Sequence, residues 1–133
     1  MTTPCYCNVL RKAARRASAA YDAVLAPFGI NVAQFALLRI ITVKGPLSLT
    51  ELARLAELDR STMGRNVRVL EGMGLMKTLR SDEDQRETVV ALTERGIGLF
   101  NQALPAWETC QGQIEARLGP EKIAALKDIL AAV

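Results

Sequence analysis

Between Leu47 and Leu92, two sets of apolar residues at helical spacing are followed by two short runs that read as strands, and this succession narrows the possible folds more than any other feature of the chain. Ser48 and Glu51 stand three residues apart ahead of an apolar run, where each can satisfy an otherwise orphaned amide, so a helix is predicted to begin there. Leu49, Leu52, Ala53 and Ala56 continue it at helical spacing. Leu58-Asp59 then reads as a tight turn into a second helix capped by Asp59 or Ser61. Two short helices joined in this way form a helix-turn-helix.

In the second helix Met63, Val67 and Leu70 fall at i, i+4 and i+7 and are expected to face inward. Arg60, Ser61, Gly64, Arg65 and Arg68 then occupy the opposite arc, a row of long donors beside small side chains. Such a surface suits a helix entering the DNA major groove, where small residues allow close approach and arginine reaches guanine edges or phosphates. Taken alone, the same arc also fits a solvated basic face. Gly74 suits a left-handed helix end, Leu75 to Arg80 reads as a strand, Ser81 to Glu87 as a polar loop and Thr88 to Leu92 as the returning strand. A helix-turn-helix followed by a hairpin is a winged helix.

Several motifs then occur in a fixed order: Leu70-Glu71-Gly72-Met73-Gly74-Leu75, Arg80, the pair Asp84 and Arg86, and Leu92-Thr93-Glu94-Arg95-Gly96. In order and spacing they resemble the MarR family of bacterial winged-helix transcription regulators, from about Asn8 to the C-terminus. The resemblance implies a mainly α fold with a small β-hairpin wing, its winged helix-turn-helix flanked by N- and C-terminal dimerisation helices. The expected division is 1–30 for the N-terminal dimerisation helix, 31–92 for the DNA-binding region and 93–133 for the C-terminal dimerisation helices.

The flanking sequence agrees on physical grounds. Asn8 to Ala26 is alanine-rich and helical, with Val9, Leu10, Ala13, Ala17, Ala20, Tyr21, Val24 and Leu25 on or near one face. Arg11, Lys12, Arg15 and Arg16 crowd its first half, as a solvated face or an anion-binding one. Pro27 to Ile30 breaks this helix, Asn31 can cap the next, and Gly45-Pro46 ends it. Thr93 is expected to cap a long helix in which Pro105 introduces a kink or a split, and Gly119-Pro120 marks another stop and start. Half of the 133 residues are hydrophobic, more than a small winged helix can cover alone, which points to a subunit interface formed by the terminal helices.

The net charge of +3 permits nucleic-acid binding without requiring it. Acidic residues slightly outnumber basic ones between Ser48 and Val90, so affinity for DNA would depend on how particular arginines are presented. A two-fold dimer would set two recognition helices in successive major grooves, on an inverted repeat. Arg65 and Arg68 are the expected groove residues, with Arg60, Ser61 and Thr62 near the helix start bonding phosphates or base edges. The resemblance assigns Arg86, in the wing, to the minor groove, where negative potential concentrates, and Asp84 would hold it in place.

MarR-like proteins are released from DNA by a small ligand or an oxidant. Cys5 and Cys7 lie at the start of the first helix, where the dipole with Arg11 and Lys12 would favour thiolate, and Cys110 lies in the long helix, so that of a second subunit is within conceivable reach. The pattern is similar to the hydroperoxide-sensing branch of the family, although Cys5-x-Cys7 is not that branch's usual spacing; the alternative is that these cysteines are small apolar residues without redox duty. The chain has no histidine, so the commonest general base is missing, and no phosphate-binding glycine loop or nucleophile–base pair is seen. It reads as no enzyme, with no cofactor and no metal. No apolar stretch reaches the roughly 18 residues of a membrane span and no signal-peptide plan is seen, so a cytoplasmic protein is expected. The competing function is a winged helix that binds protein rather than DNA; the arginines argue against it, because a protein interface would show apolar or aromatic anchors there.

Overall fold

A computed structural model describes residues 2–80 and 87–133. The chain begins with α1 (Tyr6–Leu25) and a 3-10 turn at Ala26–Phe28, followed by α2 (Val32–Lys44), β1 (Leu47–Ser48), α3 (Leu49–Ala56) and α4 (Arg60–Gly72). Strands β2 (Met76–Arg80) and β3 (Thr88–Leu92) precede the long α5 (Glu94–Ala132). This is the expected winged helix between terminal helices.

The helix starts follow from their caps. Asn31 and Gln34 form a reciprocal capping box at α2. At α3 the expected box is half made: Ser48 Oγ accepts the Glu51 N–H at 3.0 Å, but the Glu51 carboxylate turns to Arg54, at 2.6 and 2.9 Å. A planar guanidinium one turn on offers two charge-assisted donors, and a single backbone amide competes poorly with that. Between α3 and α4, Glu57 takes a left-handed conformation with φ of 54° and ends α3, and Asp59 rather than Ser61 caps α4.

The sheet has three strands where the sequence showed two. β3 lies in the middle, paired antiparallel with β2 from Met76↔Leu92 to Arg80↔Thr88 and with β1 at Leu47↔Val90 and Ser48↔Val89. Val90, fully buried at the centre of the sheet, joins Leu52, Met63, Leu70 and Phe35 in one core. Phe35 stacks on both Phe100 and Trp107 of α5, with ring centroids 5.0 and 5.4 Å apart. Arg39 lies 4.7 Å over the Trp107 ring. The long helix is thus part of the winged-helix core as well as of the terminal layer.

Pro105 neither splits α5 nor takes it out of helical geometry; its one non-helical residue is Gly119, with φ of 81°. The carbonyl that Pro105 leaves without a helical donor belongs to the exposed Asn101, where water can satisfy it, and Ala103 and Cys110 are buried on either side and hold the helix in place. The start of α5 is fastened to the end of α4. Thr93 Oγ1 donates to the Gly74 carbonyl at 2.6 Å and accepts the Gly96 N–H at 3.0 Å, while Thr93 N–H reaches the Leu75 carbonyl at 3.1 Å. A Cβ on Gly96 would stand 2.1 Å from the Leu75 oxygen, so only glycine lets the helix approach this closely.

Most of α1 and the last turns of α5 carry exposed apolar side chains. Tyr6, Val9 and Leu10 project at one end of the chain, and Leu126, Ile129, Leu130 and Val133 at the other. Among the described residues no single helix is long and apolar enough to cross a membrane.

Candidate nucleic-acid interface

The outer face of α4 is built from its cap upward. Asp59 Oδ2 accepts the Thr62 N–H at 3.0 Å and Oδ1 accepts the Thr62 hydroxyl at 2.6 Å. The Thr62 hydroxyl, followed by the Thr62 N–H, holds the Asp59 carboxyl below the usual carboxylate range. Thr62 Oγ1 in turn accepts from Arg65 Nη2 at 3.2 Å. Cap, threonine and arginine therefore form one chain of hydrogen bonds along the first two turns, which restrains Arg65 before any partner arrives.

Met63, Val67 and Leu70 are buried, as their spacing required, which turns Arg60, Ser61, Gly64, Arg65 and Arg68 outward together. These five residues and Leu49 line an open groove of about 490 Å³ along the α3–α4 face. Among the described residues no carboxylate lines it. Two of the acidic residues nearby are engaged elsewhere: Glu51 is held by Arg54, and Glu71 accepts the Thr78 hydroxyl at 3.1 Å. Overall charge is nearly balanced in this region while the groove itself is cationic.

Gly64 forms part of the groove floor. A Cβ there would meet Arg68 Nη1 at 3.6 Å and Leu49 Cδ2 at 3.9 Å, both ordinary contacts. The chain's own packing thus has room for alanine, although glycine in a helix interior costs roughly 1 kcal/mol relative to alanine.

The expected site residues fall into three groups. Arg60, Ser61, Gly64, Arg65 and Arg68 come together in the groove; Thr62 is not among its lining residues and acts as the link between Asp59 and Arg65. Asp84 and Arg86 lie outside the described residues, between β2 and β3. Of the cysteines, Cys5 is the N-cap residue of α1 and is exposed like Cys7, whereas Cys110 is buried. Tyr21 donates to Gln111 Oε1, and its hydroxyl pKa is pushed up by burial and then by the nearby Cys110 and Glu115. Tyr21 is thus bonded to Gln111, the chain neighbour of Cys110, and Cys7 is fourteen residues from Tyr21 along α1, about 21 Å at a rise of 1.5 Å per residue. Within one chain the exposed and buried cysteines are far apart. Leu49 is the groove residue that the sequence did not disclose, because its place in an apolar repeat marks it equally well as core.

A capped helix with outward arginines, held against a second short helix and followed by a hairpin, defines a winged helix-turn-helix domain. Residues 30–88 match the profile of the MarR family. The HTH-type transcriptional regulator FarR of Neisseria gonorrhoeae is 31% identical over 108 residues, which cover 81% of this chain and 74% of that protein. The crystal structure of the M. tuberculosis transcriptional regulator MosR in complex with DNA superposes with a TM-score of 0.83 at 30% identity, covering 97% of this chain and 98% of that one. The transcriptional repressor CouR bound to a 23-mer DNA duplex gives a TM-score of 0.83 at 26% identity, with 93% and 88% covered. The chain belongs to the MarR family, whose members are transcription regulators and not enzymes.

Proposed function

We propose that the protein binds double-stranded DNA as a homodimer at an inverted-repeat operator in the cytoplasm, and represses transcription there until a small ligand or cysteine oxidation releases it. The observation that carries this reading is the groove on α4, with Arg60, Arg65 and Arg68 around a glycine that no neighbour among the described residues requires. A glycine that costs helix stability without relieving a clash with the described residues fits close approach by an outside partner, and three arginines with no carboxylate among the described lining residues fit a polyanion. That MosR and CouR were both crystallised on DNA supports the same reading.

In this assignment Arg65 and Arg68 enter the major groove, and Arg60 and Ser61 bond phosphates or base edges near the helix start. Thr62 orients Arg65. Arg86 would reach the minor groove with Asp84 steadying it. Residues 31–92 form the DNA-binding part, and 1–30 with 93–133 the dimer layer. The exposed Tyr6, Val9 and Leu10 together with Leu126, Ile129, Leu130 and Val133 supply apolar surface for a second subunit. Two-fold symmetry then gives two groove-facing α4 helices about one DNA turn apart.

Of the two release routes, oxidation would begin at Cys5 or Cys7, which are exposed, and would be resolved by Cys110 of the other subunit. The experiment is fluorescence anisotropy on a fragment upstream of the protein's own gene, reduced and then peroxide-treated, across a salt series. Tight binding with a log–log salt slope near −0.9 per neutralised phosphate is expected. Binding insensitive to salt would overturn the DNA reading. If the Cys5→Ser, Cys7→Ser and Cys110→Ser variants all release DNA on peroxide as the parent does, the oxidation route is wrong and a small ligand remains.

A further inference from the structure

The groove on α4 is cationic and polar except at one place. Leu49, the first residue of α3, lines it beside Ser61 and Gly64, while the rest of its side chain packs against the core. The missing side chain at Gly64 keeps this spot open, since a Cβ there would lie 3.9 Å from Leu49 Cδ2. Leucine on the floor of an otherwise polar groove has no hydrogen-bonding task. Its methyl groups can gain only by covering another apolar surface.

Within the DNA major groove the base edges offer donors and acceptors almost everywhere, and the one prominent apolar group is the 5-methyl of thymine. Arginine and serine can satisfy the polar edges, and beside Arg60, Ser61, Gly64, Arg65 and Arg68 the one wholly apolar side chain among the described lining residues is Leu49, whose branched end presents two methyl groups where an arginine offers only the stem behind a charged head. We propose that Leu49 is a specificity-determining residue that reads a thymine methyl group in each half-site. This inference rests on the DNA-binding reading above and deepens it: the helix preceding the recognition helix also reads sequence, through an apolar contact admitted by Gly64.

The contact should act on specificity and leave the electrostatic part of binding alone. Burying one methyl-sized group is worth about fourfold in affinity per half-site. The test replaces each thymine of the operator in turn by deoxyuridine, which removes the methyl and keeps every hydrogen-bonding atom. Wild-type protein is expected to lose about fourfold at one thymine position in each half-site, with an unchanged salt slope. Leu49→Ala should bind the unmodified operator more weakly and no longer distinguish thymine from deoxyuridine at that position. Because the protein in the first arm is unaltered, an effect of Leu49→Ala on folding cannot imitate or hide the methyl dependence.

Equal affinity of the wild type for every deoxyuridine-substituted operator would overturn the proposal while leaving the DNA reading standing. A methyl preference that persists undiminished in Leu49→Ala would overturn it too, by assigning the contact to another residue. Failure of the unmodified operator to bind would instead refute the DNA reading and, with it, this inference.

Discussion

Replacing Gly96 by alanine tests the junction between the long helix and the winged helix. The added Cβ would stand 2.1 Å from the Leu75 carbonyl oxygen, 3.0 Å from its carbonyl carbon and 3.3 Å from its Cα. Those atoms are backbone, and Leu75 is only 1% exposed, so no flexible side chain can swing aside. Helix and strand must part by roughly 1.3 Å to restore ordinary contact. That displacement also stretches the Thr93 N–H bond to the Leu75 carbonyl and the Thr93 hydroxyl bond to the Gly74 carbonyl. Overpacking costs about 1–3 kcal/mol and each impaired hydrogen bond about 1 kcal/mol, so a loss of about 2–4 kcal/mol is expected. The assay is urea unfolding at a fixed protein concentration, which matters if subunits associate. Gly98→Ala is the control, two residues further along the same helix. Nothing lies within 4 Å of the Cβ it would add, so it should gain about 0.5–1 kcal/mol through helix propensity. A loss below about 0.5 kcal/mol for Gly96→Ala, or equal shifts for the two variants, would refute the reasoning, because the cost is attributed to the Leu75 contact alone.

The remaining predictions concern the recognition helix. Gly64→Ala should raise thermal stability, by about 0.5–1 kcal/mol, and weaken operator binding; a variant stabilised with unchanged affinity would remove the close-approach argument. Arg65→Ala and Arg68→Ala should each weaken binding: the residue that reads a base should lose about 1–3 kcal/mol of discrimination at one position, and one that touches only phosphate should lose affinity evenly across sequences with a shallower salt slope. Asp59 has a depressed carboxyl pKa in the folded protein, so its stabilising effect is present above the unfolded-state pKa and lost as pH falls through the folded one. Asp59→Ala should accordingly be less stable than the parent at neutral pH, with the gap narrowing in acid; a gap that stays constant down through the carboxylate range would exclude the ionised cap as its source.

The parts of the fold visible in the sequence are those fixed by neighbours along the chain. Asn31 and Asp59 cap helices through amides three residues away, and Met63, Val67 and Leu70 mark a buried face by spacing alone. What stayed hidden depends on distant groups. β1 is two residues long and exists because Val89 and Val90 lie alongside it, which no local pattern announces. Glu51 could serve its own helix start or Arg54, and only the geometry decides. Pro105 has the local signature of a break, but packing on both sides of it outweighs one missing hydrogen bond. The candidate site shows the same division. Its arginines were legible because the arc opposite a buried face is set by helical periodicity, whereas Leu49 looked like any core leucine until α4 was laid across it with a glycine at the crossing.

The short strand β1 has a bearing on how such a protein can diversify. β3 is gripped along both edges, by β2 on one side and β1 on the other, and its register is therefore set by both neighbours rather than by the connection from Arg80 to Thr88 alone. Lengthening a connection whose ends are already fixed is cheap, about 0.6 kcal/mol for each doubling. Insertions between the two strands can thus be accommodated while α4 keeps its place, which makes this connection a natural position for grafting a reporter.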